Sequence, residues 1–191
     1  MAVTSKRQDL PAAPDGGASE DLSAAPDGGA SGARVTLPTD EQILIEREFD
    51  APKHLVYQAY TTPELVERWW HANRGEVTLV EIDLRVGGKW RYVMTACGGP
   101  EVGFHGEYRE IVPGERIVST EFYEGVPEGV SEADATTLNT ATFTETGGRT
   151  TLTILIEAKS RMTRDAIIES GMEDGLQDAL ELLEQTANSL R

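Results

Sequence analysis

The side chains best equipped for chemistry in this 191-residue chain are three histidines, one cysteine and five tyrosines, and their spacing excludes more than it assigns. His54, His71 and His105 do not fall at metal-ligand intervals, no Cys-x-x-Cys or His-Glu-x-x-His occurs, and neither a Gly-x-Ser-x-Gly elbow nor a phosphate-binding loop is present. The sequence therefore offers no ligand set for a metal and no motif for a cofactor. Cys97 lies in "ACGGPE", a turn without the nearby cation that would activate a thiol. His105 alternates with Phe104 and belongs to the polar side of its strand. His71 is better placed, directly after Trp69 and Trp70 in "ELVERWWHANRG", where it is expected at the polar rim of a pocket. No carboxylate is recognisably positioned to orient it as a general base. Tyr92 and Tyr108 are the remaining acid–base candidates, whereas Glu81, Asp83 and Arg85 alternate with Val80, Ile82 and Leu84 and read as a solvated sheet face.

The elements that must position these groups follow from periodicity. "QILIEREF" predicts a strand ending at Asp50, after which Asp50 as cap and Pro52 in the first turn open a helix through "DAPKHLVYQAY". Thr62 and Pro63 repeat the device for "PELVERWW", on which one of two adjacent tryptophans must face inward and the other must lie at the edge. From Gly75 the period becomes two, through "EVTLVEIDL", "KWRYVMTA", "VGFHGEYREIV", "RIVSTEFYE", "TLNTATFTE" and "TTLTILIEA". Glycine-bearing turns separate these segments, which predicts an antiparallel meander. Trp90, Tyr92 and Met94 share one face, Phe104, Gly106 and Tyr108 the same face of the next strand, and Leu152, Ile154 and Ile156 that of the last. From Thr163, Ile168, Met172, Leu176, Ala179, Leu183, Ala187 and Leu190 recur at helical spacing and predict one unbroken helix of about seven turns to cover that apolar face. Gly171 and Gly175 within it have two readings, close backbone packing on the sheet or room left for a ligand.

Charge and composition bound the partners. Seventeen basic against 33 acidic residues give −16, which repels nucleic acid and anionic lipid surfaces. One cysteine, no apolar leader and no membrane-length apolar run predict a cytoplasmic protein with no membrane span. "DLPAAPDGGAS" at 9–19 returns as "DLSAAPDGGAS" at 21–31, a twelve-residue duplication with too little apolar surface to fold, so residues 1–40 are expected to be a disordered tail and 41–191 the domain.

The order strand, two short helices, six antiparallel strands and a long C-terminal helix resembles the helix-grip fold of the START/polyketide-cyclase (SRPBCC, Bet v-like) superfamily, an α+β fold. "FDAPKHLVYQAYTTPELVERWW", "EIDLRVGGKWRYVM", "GEYREIVPGERIV" and "SGMEDGLQDALELL" are most similar to the branch of activators of heat-shock protein 90 ATPase. Two positions depart from that branch, His71-Ala72 after the tryptophans where Gly-Pro is common, and Leu176 where tryptophan often follows the second helix glycine. The resemblance implies a curved sheet wrapped around the C-terminal helix with a cavity between them. Its expected lining is Trp69, Trp70, Trp90, Tyr92, Met94, Phe104, Tyr108, Phe122, Ile168, Met172 and Leu176, with His71 at the mouth. The function expected is binding of an apolar or aromatic small molecule without a cofactor, more consistent with a non-enzymatic protein than with the alternative cyclase- or hydrolase-like enzyme. A chaperone ATPase co-regulator is the other alternative, less favoured because the separate activator domain of the eukaryotic relatives has no counterpart here. A homodimer stays open.

Overall fold

In a computed structural model the described residues, 32–191, form eight strands and five helices in the order β1 (Arg34–Thr36), β2 (Gln42–Phe49), α1 (Lys53–Thr61), α2 (Pro63–Val66), β3 (Gly75–Ile82), β4 (Lys89–Ala96), β5 (Glu101–Val112), β6 (Arg116–Tyr123), α3 (Glu132–Ala135), β7 (Thr137–Thr146), β8 (Arg149–Glu157), α4 (Arg161–Glu169) and α5 (Met172–Asn188). The strands make one antiparallel sheet ordered β1-β2-β8-β7-β6-β5-β4-β3. The alternation in the sequence therefore produces the expected meander, with β2 returning beside β8 because the final hairpin leaves that edge open. No helix among the described residues is long and apolar enough to cross a membrane.

Sheet curvature has local causes. β3 carries a register shift between Val77 and Leu79, and β5 another between Tyr108 and Glu110, each increasing the local twist. Between them lies Gly106, where an added Cβ would sit 1.8 Å from the Thr120 carbonyl oxygen and 2.7 Å from Trp90 Nε1. Only glycine permits that approach of β6 and an indole. The concave face so formed holds Ile43, Ile45, Phe49, Phe143, Leu152 and Ile156, and against them pack Leu180, Leu183 and Ala187 of α5 and Val56 and Ala59 of α1.

Three expectations need correction. The C-terminal helix is two helices. Gly171 adopts φ +78°, the left-handed region, and starts α5 after α4 ends at Glu169, so its glycine serves a backbone break. Gly175 packs on no backbone: an added Cβ would meet the Arg74 side chain at 3.6 Å. Secondly, the fold begins before residue 41. β1 pairs with β2, and Ala33 is buried with its amide donating to Gln177 Oε1 (2.7 Å) and its carbonyl accepting from Gln177 Nε2 (2.6 Å). The duplicated segment at 9–31 lies outside the described residues. Thirdly, Asp50 does not cap α1. The Lys53 amide donates to Glu145 Oε2 (2.6 Å) from β7, while the Asp50 amide donates to Glu184 Oε1 (2.7 Å), so tertiary carboxylates satisfy groups that a local cap would otherwise take.

Candidate functional site

Trp69 and Trp70 lie in the turn following α2 and divide the two tasks expected of them. Trp69 is buried, stacks on Tyr60 at 5.6 Å between ring centroids, and donates its Nε1–H to the Ala59 carbonyl (2.9 Å). That hydrogen bond ties the turn to α1 and leaves the indole with no free polar atom. Trp70 is half-buried and set edge-on to Tyr92 (5.5 Å) and Phe104 (5.9 Å). The row continues on both sides, with Trp90 4.8 Å from Tyr92 and Tyr123 5.0 Å from Phe104. Aromatic side chains from β4, β5, β6 and the turn after α2 thus converge on the concave face. Ile168, Met172 and Leu176 are half-buried against the same core, and Met94 is half-buried near the other end of β4.

Polar groups stand among these rings. The Tyr92 hydroxyl donates to that of Tyr108, and burial raises both phenols, Tyr108 to about 12 and Tyr92 well above the ordinary value. Ile117, Ser119, Glu121 and Tyr123 share the concave face of β6, which places a carboxyl in the cup. Burial is the dominant influence on Glu121 and pushes its pKa above the usual carboxylate range, while a hydrogen bond from Asn139 opposes the rise. The Thr137 hydroxyl donates to Asn139 Oδ1 (2.9 Å), which fixes the amide with its NH2 toward Glu121. The field of Glu121 reaches Tyr60 and Tyr92, raising both. Trp90 is buried, and its Nε1–H has no hydrogen-bond partner among the described residues.

Phe122 is not part of this surface. It pairs with His105 across the β5–β6 ladder and its ring lies 5.2 Å from the imidazole, on the convex face. Aromatic character suggests an inward position, but the alternation starting from buried Ile117 places Glu121 and Tyr123 inward instead. On that convex face Arg91 donates to both Glu124 oxygens (2.8 and 2.9 Å), and His105 lies 3.0 Å from Glu124 and 3.4 Å from Glu132 of α3. The Arg91 guanidinium holds the Glu124 carboxyl down at about 2. His105 thus has the surface position expected of it. His71 accepts a hydrogen bond from the Asn73 amide at Nδ1 (2.9 Å), which braces a turn in which Ala72 and Asn73 both have positive φ. Its lone pair is therefore engaged in that turn.

Two depressions are defined on the surface. One, of about 640 Å³, is a groove along α5 between Arg47, Gln177, Glu181 and Asn188; the other, of about 250 Å³, is lined by Trp90 and Gly106 together with Glu81, Lys89, Arg91 and His105. Neither is lined by Trp70, Met172 or Leu176. No group of three or more His, Cys, Asp or Glu residues suited to a metal occurs among the described residues.

Residues 50–188 match the profile of the family described as Activator of Hsp90 ATPase homolog 1-like protein. Among solved structures, the chain is similar to a protein of Rhodobacter sphaeroides (TM-score 0.73, 23% identity, covering 83% of this chain and 99% of that one). A protein of Mycobacterium smegmatis gives TM-score 0.72 at 23% identity, with 84% and 100% covered. An AHSA1-like protein of Aeromonas hydrophila gives 0.57 at 19% identity, with 78% and 93% covered. These identities show a shared fold. Comparison with curated proteins finds no relative.

Proposed function

Because the chain belongs to the Activator of Hsp90 ATPase homolog 1-like family, with its helix-grip fold, we propose that it binds an apolar or aromatic small molecule on the concave face of the sheet, beside α4 and α5, without transforming it. The observation that carries this reading is Trp70, held edge-on to Tyr92 and Phe104 while all three remain partly open to solvent. Rings that only fill a core would be closed off, as Trp69 and Phe143 are. A ligand covering this row would gain about 25 cal/mol per Å² of apolar surface removed from water, and the few polar groups among the rings would set its orientation.

The direct test is calorimetric titration with naphthalene, with tryptophan emission followed in parallel. Binding should change the emission of Trp70, and Leu176→Trp, which adds bulk at the half-buried start of α5, should weaken it roughly tenfold with a stability loss below the 1–3 kcal/mol typical of an overpacked core. An unchanged emission together with a sharply destabilised variant would mean a closed interior and would overturn the reading. The family description also raises contact with a chaperone ATPase. A −16 chain would make such contact through a surface of complementary charge, so the complex would weaken with salt. Stimulation of chaperone ATP turnover that vanishes at high salt would favour that second reading; none is expected.

A further inference from the structure

Among the described residues, His105 is the histidine with a carboxylate against each ring nitrogen: Glu124 Oε1 lies 3.0 Å from Nδ1, and Glu132 Oε1 lies 3.4 Å from Nε2. The two carboxylates belong to different parts of the chain. Glu124 follows β6 directly and is fixed to the sheet by two nitrogens of Arg91, whereas Glu132 is the first residue of α3, in the connection from β6 to β7. The imidazole is backed by Phe122, its partner across the β5–β6 ladder, at 5.2 Å. None of the four residues of α3 is buried, so packing does little to hold this helix. Its tertiary attachments are polar: the Thr163 hydroxyl donates to the Asp134 carbonyl (3.5 Å), and His105 meets Glu132. The same connection starts on the aromatic row. The backbone at Gly125 lies so close over the Tyr123 ring that a Cβ there would overlap it, and Tyr123 is the outer ring of the row, 5.0 Å from Phe104.

A neutral imidazole has one N–H and one lone pair, so it donates to one of the two carboxylates and turns a lone pair toward the other. Glu124 is the nearer, and Arg91 holds its carboxyl down at about 2, so it is ionised and takes the N–H. Glu132 then faces the lone pair of Nε2. An imidazolium instead donates from both nitrogens and carries a charge that attracts both carboxylates. Histidine is the side chain whose charge ordinarily changes between pH 5 and 8. We infer that His105 is a pH-operated clamp: protonated, it fastens α3 to the sheet through Glu132, and neutral, it lets α3 go and loosens the connection lying over Tyr123. The other charged groups around the ring do not duplicate this link. Lys89 and Arg91 of β4 and Glu81 of β3 line one depression with His105, Glu101 acts on Arg91, Glu107 is paired with Arg109, and Asp134 is bonded to its own Ser131 cap. Among the described residues the ion-pair partner of Glu132 is His105.

The test is an NMR titration of the full chain from pH 5 to 8. The His105 ring protons give the midpoint, and the backbone amides of residues 132–136 should shift with that same midpoint. Their hydrogen exchange, corrected for its intrinsic pH dependence, should become about threefold faster above it, the scale of an exposed ion pair. Glu132→Gln changes a side chain that is 66% exposed, and it should abolish the shift at α3 while the His105 ring continues to titrate beside Glu124. That ring signal also reports that the sheet of the variant is intact. His105→Gln, which cannot gain a proton, should abolish the pH dependence at α3 as well. Amides of α3 that do not follow His105 in the wild-type protein overturn the inference, and this arm needs no variant to fold. Amides that still follow it in Glu132→Gln overturn it too, by showing that the change reaches α3 without the clamp.

Discussion

Glu121 is a carboxyl raised by burial, opposed by one amide hydrogen bond, and without a cationic partner among the ion pairs of the described residues. Between the ordinary carboxylate pKa and the raised native one, the native state binds more of that proton than the unfolded chain does. Stability therefore decreases as pH rises from the ordinary carboxylate value of 4.5 through the raised native one, and Glu121→Gln should abolish that part of the decline, gaining roughly 1 kcal/mol at neutral pH. Denaturant unfolding at several pH values measures it. Glu124 has the opposite sign: Arg91 depresses it to about 2, so its contribution is present above 4.5 and is lost as pH falls toward 2. Glu124→Gln should flatten the acid limb of the same profile, by a modest amount because the pair is exposed to solvent. Neither residue stands out in the sequence. A glutamate in "RIVSTEFYE" reads by default as solvent-facing and the neighbouring phenylalanine as core, and only the register set by Ile117 and its partner Ala141 reverses both assignments.

The elements were more legible than the residues because alternation and helical spacing are repeated many times within each. All six strands from β3 to β8 were foreseeable in this way, and the paired tryptophans correctly announced one buried and one partly open indole. Where spacing failed, it did so for a stated reason. Ile168, Met172 and Leu176 keep four-residue steps across Gly171, so the apolar stripe continues although the backbone does not. β1 has three residues, too few for any period to register. Gly171→Ala tests the break: forcing a side chain into φ +78° should destabilise the protein by roughly 1–2 kcal/mol, and Gly171→Asn by less, since asparagine tolerates that region. Equal stability of the alanine variant in thermal melts would mean that α4 and α5 readily merge.

At the scale of the whole molecule, where the fold begins matters more than its charge. The composition of residues 9–31 predicts that a chain starting at residue 32 melts close to the full-length protein. Deleting through residue 38 also removes buried Ala33, both of its hydrogen bonds to Gln177 and the pairing of Arg34–Thr36 with β2, and should lower stability by about 2–4 kcal/mol. The short first strand has a second effect on what remains. Without it, the eight residues Gln42–Phe49 become the margin of the sheet, with backbone amides and carbonyls opposite Arg34–Thr36 laid open beside Ile43 and Ile45. Such a margin is a template on which a second copy can add its own strand. The three-residue strand is thus also a guard against self-association, and its loss should be seen as light scattering that grows with protein concentration, at temperatures where each molecule alone is still folded.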